Sequence, residues 1–186
     1  MRHKVIIIWL PLFLLVALAT QAVAQEAKPS GWIELEGVVD SDVTPSINVY
    51  ANGPLKDMVG WTLYMQAGPE WSERLVGLTL TPATWVSISG SLGVENFEES
   101  PFRSGASIWM GNGPWSLLSL QEKGGSGHWQ KNVGKYQATP TIAIGVLQQT
   151  FVGAGPYIEK KFGRLSFWGA YAVTDNKGLV TAHFNF

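Results

Sequence analysis

Ser126-Gly127-His128 sets a serine two residues before a histidine, at the end of the glycine-rich stretch that begins at Glu122. A hydrolytic serine needs a base within hydrogen-bond reach, and that base is normally oriented by a carboxylate. Here the serine and histidine sit on a flexible segment with nothing to hold them, so His128 reads as a loop or strand-end residue. His183 has no partner identifiable in the sequence and reads as a polar group on the last strand. Two histidines after residue 24 and no cysteine leave little for a transition-metal site and exclude disulfide staples. Glu98 and Glu99 could attract a cation but read as a solvated loop. The expectation is no catalytic residue, no cofactor and no metal, which leans against an enzyme.

A second set of polar residues is spaced by twos. Glu34 and Glu36, Tyr64 and Gln66, Ser87, Ser89 and Ser91 with Glu95, then Glu159 and His183, lie in runs whose intervening residues are largely apolar. Successive strand side chains point to opposite faces, so each such run is a strand with one wet face and one apolar face. Enclosed together, these groups could line a path for ions or solutes. They could equally pair across an interior as struts.

The elements that must carry them follow from Gly31 onward. Short alternating runs are separated by Gly, Pro, Asn and Asp, and no stretch sustains a helical apolar period with caps, so the chain is all-β. The runs are 31–39, 46–51, 59–67, 72–80, 85–95, 103–111, 115–121, 128–136, 141–147, 150–159, 165–173 and 178–186. The eighth, His128 to Tyr136, is polar on both faces. As a strand it adds Lys131 and Lys135 to the inner set, and as a loop it lowers the count from twelve to ten or eight. Turn chemistry marks Asn52 to Asp57, Thr81 to Thr84, Gly111 to Pro114, Tyr136 to Pro140 and Lys161 to Arg164 as the connections at one end.

Arg2, His3 and Lys4 precede an apolar run of 15 residues, Val5 to Ala19, and Ala22-Val23-Ala24 forms a small-residue cleavage site. Residues 1–24 therefore read as a cleaved signal peptide, 25–30 as a short leader and 31–186 as one barrel domain. Removing 1–24 takes away Arg2 and Lys4 and no acid, so the formal charge moves from −1 to −3. That weak acidity gives no case for a nucleic-acid partner. No later segment is apolar enough for a membrane helix. A closed barrel is then the remaining way to span a bilayer, since open sheet edges cannot sit in hydrocarbon.

The last nine residues, Gly178 to Phe186, put Val180, Ala182, Phe184 and Phe186 on one face, and the given sequence stops on the ring of Phe186. Behind a signal peptide, such a segment resembles the closing strand of bacterial outer-membrane β-barrels, at the level of the superfamily. The resemblance implies a closed, antiparallel, up-and-down transmembrane β-barrel of about 12 strands in the cell outer membrane, surrounded by outer-membrane lipid. It also implies that Phe184 and Phe186 are read as a membrane-insertion signal by the barrel-insertion machinery. Trp61, Trp71, Trp85, Trp109, Trp115, Trp129, Phe102, Phe151 and Phe162 lie near strand ends and read as headgroup-level rings. Barrels of this superfamily include lipid A deacylases and palmitoyltransferases. The deacylase pattern has His two residues before Ser, whereas His128 is followed by Trp129 and Gln130, so that activity is not implied. A small porin-like channel or a passive structural component of the membrane is the expected function. The alternatives are a lipid-modifying barrel enzyme and a soluble periplasmic barrel with an apolar ligand. Oligomeric state is open.

Overall fold

The computed structural model describes residues 28–186, so the expected signal peptide and the start of the leader lie outside the described residues. Twelve strands follow one another: β1 (Ser30–Val39), β2 (Val43–Lys56), β3 (Val59–Ala67), β4 (Ser72–Ala83), β5 (Val86–Glu95), β6 (Phe102–Asn112), β7 (Trp115–Gly124), β8 (Gly127–Thr139), β9 (Ile142–Gln149), β10 (Gly153–Phe162), β11 (Leu165–Ala172) and β12 (Lys177–Asn185). Each pairs antiparallel with its sequence neighbours, and β12 closes on β1 to complete the barrel. Closure leaves no unpaired sheet edge.

The seam is in register from Trp32↔Asn185 to Val39↔Gly178. Gly31 N donates to the Phe186 carbonyl at 3.3 Å, and Phe186 N donates back to the Gly31 carbonyl at 3.0 Å. A Cβ on Gly31 would meet the Tyr50 carbonyl oxygen at 2.2 Å and the Phe186 ring at 2.6 Å. Backbone cannot move aside for it. Gly31→Val should therefore cost about 1–3 kcal/mol, the usual range for overpacking. The check is the temperature at which the folded band converts to the unfolded one in heat-modifiability gels. An unchanged temperature would contradict this account of the seam.

Five connections lie at the end where both chain termini emerge, and each is two residues long, from Asp57-Met58 to Gly163-Arg164. Two-residue hairpins favour left-handed backbone, which Asp57 (φ 51°), Gly113 (φ 57°) and Gly163 (φ 63°) adopt. Thr84-Trp85 and Pro140-Thr141 turn without it, each beside a register shift. Three turns fall later than sequence chemistry places them. β2 continues through Asn52-Gly53-Pro54, and β4 and β8 continue to Ala83 and Thr139. In each case a register shift absorbs the irregular residues: Pro54/Lys56, Leu80/Ala83 and Gln137/Thr139. A bulge is where a strand tolerates proline and extra residues, so turn-forming residues there do not end it. Gly53 also gives up its side chain to the Trp61 indole, whose Nε1 lies 2.6 Å from where its Cβ would stand.

The ambiguous segment is a strand. β8 pairs with β7 from Gly127 to Tyr136 and with β9 from Lys131 to Thr139, so the ten- and eight-strand alternatives do not apply. The outer wall is apolar around most of the circumference: Leu35, Val76, Leu92, Val146 (63 % exposed), Ile158 and Val180 all stand free on it. Inside, Leu147, Val152, Tyr157, Trp168, Ala172 and Leu179 form a buried apolar wedge against β9–β12.

Candidate functional site

The lumen is divided among three cavities of about 280, 410 and 710 Å³. The largest is a vestibule at the end away from the chain termini, lined by the loops around Gly68–Trp71 and Thr150–Val152. Glu36, Gln66 and Trp129 line both this vestibule and the 280 Å³ cavity below it. Trp32, Tyr64 and Trp109 line both lower cavities. One layer of side chains therefore separates the vestibule from the rest of the lumen.

That layer contains a charged strut. Lys131 projects inward from β8, and its Nζ lies 3.1 Å from Glu36 Oε2 and 3.6 Å from Glu34 Oε1 on β1. β8 and β1 are five strands apart by the shorter route round the barrel, so the pair spans the lumen. Gln149 Nε2 donates to Glu36 Oε1 at 3.2 Å. Glu34 accepts from Asn48 Nδ2 at 3.2 Å and from Trp168 Nε1 at 3.1 Å, and it lies 3.1 Å from His183 Nδ1. The ammonium of Lys131 also stands 4.8 Å from the Trp168 ring centroid, within cation–π range. Buried charges persist only when paired and hydrogen-bonded, and every charge here has several partners.

A second cluster sits on β4–β7 near the vestibule. Arg103 on β6 is 1 % exposed. Its Nε contacts Glu73, its Nη1 lies 2.8 Å from Glu95 and its Nη2 lies 3.0 Å from Glu122. Ser126 ties the loop to this cluster by donating its N–H to Glu95 Oε1 at 2.8 Å and its hydroxyl to Glu95 Oε2 at 2.6 Å. The guanidinium lies 5.0 Å from the centroid of Trp71. Lys135 meets Glu159 at 3.0 Å, and Tyr157 donates to the same carboxylate at 3.0 Å.

Glu34, Glu36, Tyr64, Gln66, Glu159 and His183 line the 280 Å³ cavity, and Ser87, Ser89 and Ser91 line the 410 Å³ one. Glu95 is buried in the arginine cluster. Sequence reading passed over Arg103, Glu73, Glu122 and Lys161. Their signal was parity, because Arg103 falls on the face of Ser107, two by two, and Glu122 on that of Leu118 and Leu120. Glu122 went unread because it was assigned to the glycine-rich loop rather than to β7. Three rings expected at headgroup level face inward instead: Trp109 and Trp129 line the lumen, and Trp71 lies against Arg103 in the vestibule. The odd positions of Trp109 and Trp129 share the inner face with Ser107 and Lys131, and nearness to a strand end does not override parity.

The serine-histidine pair is separated. Ser126 Oγ bonds Glu95 and Arg103, while the His128 ring meets Gln121 Oε1 at 3.0 Å. His183 has a carboxylate partner in Glu34, but its cross-strand neighbour Ser166 makes no hydrogen bond to it and is 2 % exposed.

No family model matches the chain, and no curated protein matches it. Among solved structures it superposes on a KdgM porin with a TM-score of 0.54 at 8 % identity, covering 83 % of this chain and 98 % of that one. A mutant of Rh. blastica porin matches with a TM-score of 0.39 at 9 % identity, over 87 % of this chain and 100 % of the other. Ail, the attachment invasion locus protein of Yersinia pestis, matches with a TM-score of 0.25 at 10 % identity, over 86 % and 97 %. The likeness to the KdgM porin is one of fold. The other two are too loose to carry an argument.

Proposed function

We propose that this chain is an outer-membrane barrel whose lumen is a narrow, cation-preferring conduit constricted by side chains. The observation that carries the reading is the single layer around Lys131 and Glu36 between the vestibule and the inner cavities. The apolar outer wall supports a lipid surround, because a soluble barrel with this surface would expose a large apolar patch to water. In this reading residues 1–24 direct export, and Phe184 and Phe186, both exposed on the outer wall, serve as the signal for insertion.

Cation preference follows from the inner charge balance. Glu34, Glu36, Glu70, Glu73, Glu95, Glu122 and Glu159, seven acids, share the lumen and its vestibule with five cations, Arg103, Lys131, Lys135, Lys161 and Lys177. Low-dielectric walls focus the field of the excess carboxylates along the lumen. Recording from the purified chain in a planar bilayer under a potassium chloride gradient should show small conductance steps, with a reversal potential on the cation side. Silence at every voltage would overturn the conduit and leave a structural barrel. The enzyme alternative draws no support from Ser126, Ser166 or either histidine.

A further inference from the structure

The outer wall changes character over three adjacent strands. On β3 and β5 the outward residues are Trp61, Leu63 and Met65, and Ile88, Leu92 and Val94. On the loop-end half of β7, β8 and β9 the same face carries Ser119, Gln121, Gln130, Asn132 and Gln148, with His128 at the rim, while Leu117, Ile144 and Val146 keep the other half apolar. Parity fixes this assignment, because Glu122, Trp129, Lys131 and Gln149 point inward. The polar groups begin at the middle of β7 and β8, where Ser119 pairs with Asn132, and they run to the loop end. A headgroup zone at the rim does not account for groups at mid-wall.

These side chains bond only partly among themselves. Asn132 Nδ2 donates to Gln148 Oε1 at 2.5 Å, His128 meets Gln121 Oε1 at 3.0 Å, and Gln121 Nε2 reaches Ser119 Oγ at 3.4 Å. An amide has two N–H donors and an oxygen with two lone pairs, so these contacts leave most of the capacity unused. In hydrocarbon such unmet capacity is costly. This polar face is what made the eighth run ambiguous as sequence.

We propose that the outward face of β7–β9 is the contact surface for a second copy of this chain, paired about a two-fold axis along the membrane normal between β7 and β8. The proposal rests on the outer wall facing lipid. A two-fold contact places one surface patch against itself and so requires self-complementary chemistry. Amides and hydroxyls meet that requirement, since each is both donor and acceptor. The axis sets Gln121 of each copy against Gln130 of the other, and Ser119 against Asn132. A phosphorylated lipid headgroup would call for clustered cations, whereas the patch has one lysine, Lys123, at its loop end. Beside Asn132, a Cβ on Gly134 would meet only Val146 Cγ2, at 3.5 Å. A side chain would fit there, and its absence leaves a notch that lets a facing wall approach closely.

The chain has no cysteine, so single cysteines report contact cleanly. In outer membranes that hold both Gln121→Cys and Gln130→Cys chains, copper phenanthroline should give a covalent dimer of one with the other, while Met65→Cys on the far wall should give none. Wild-type protein in mild detergent should have the mass of two chains. The Gln121→Leu/Gln130→Leu/Asn132→Leu/Gln148→Leu variant should have the mass of one and keep its heat-modifiable band. If that variant does not fold, the cysteine result decides. A monomeric wild type, a dimer that survives the four leucines, or labelling of Gln130→Cys by a lipid-dissolved maleimide without cross-linking would overturn the proposal. Recovery of the wild type in the soluble periplasmic fraction would instead overturn the membrane reading on which it rests.

Discussion

Arg103→Leu is expected to destabilise the barrel by about 3–5 kcal/mol, the cost of breaking a buried charge network by removing one partner. Arg103 is the single cation among Glu73, Glu95 and Glu122, and it is 1 % exposed. Leucine fills part of its volume but leaves three carboxylates facing one another with little water to screen them. Arg103→Lys should recover only part of the loss, because one ammonium cannot reproduce a planar fork that meets three acids at once. Adding Glu95→Gln to Arg103→Leu should recover more, since it removes one of the stranded charges. Denaturant unfolding in lipid vesicles, followed by tryptophan fluorescence, gives the comparison. A loss within about 0.5 kcal/mol, the range of ordinary surface substitutions, would show that the cluster is not a structural support.

The second large effect should appear in conductance. Lys131→Met removes the cation that joins β8 to Glu36 and Glu34 across the lumen. With its ion pair gone, the methionine chain is free to swing out of the layer between the vestibule and the 280 Å³ cavity below it, and unit conductance should rise several-fold. Selectivity should move in the same variant. Losing a lysine raises the excess of carboxylates in the lumen, so the reversal potential shifts further to the cation side, whereas Glu36→Gln shifts it back. The double variant Lys131→Met/Glu36→Gln should keep the larger conductance with nearly the wild-type selectivity, which separates pore size from charge. Equal conductance for wild type and Lys131→Met would mean that the strut does not set the constriction. The two single variants also differ in stability. Lys131→Met strands two acids that share several other donors, while Glu36→Gln leaves Lys131 still close to Glu34.

Strand count, antiparallel order and closure at Phe186 were legible because period-two alternation is a local property. A reader of the residues alone can see that Ile33 and Leu35 oppose Glu34 and Glu36, whatever lies beside them. Turn positions were less legible. Asn52-Gly53-Pro54 has the composition of a turn, yet a bulge and the flat face of Trp61 let the strand run on to Lys56. β8 resisted for another reason. Its inward lysines pair with carboxylates on β1 and β10, and its outward amides break the apolar wall, so neither face showed the usual contrast.

Alternation assigns a face, and that is the extent of what the sequence by itself determined about the site. Which groups meet was decided by the closed barrel. Lys131 and Glu36 are 95 residues apart in the chain, and nothing local relates them. They touch because closure of twelve strands sets β8 nearly opposite β1, at a spacing that one lysine and one glutamate together span. Glu73, Glu95, Arg103 and Glu122 need no closure, since they sit on the adjacent strands β4–β7 that hairpin pairing already sets side by side, whereas a flat sheet of the same strands would leave the Lys131–Glu36 pair far apart.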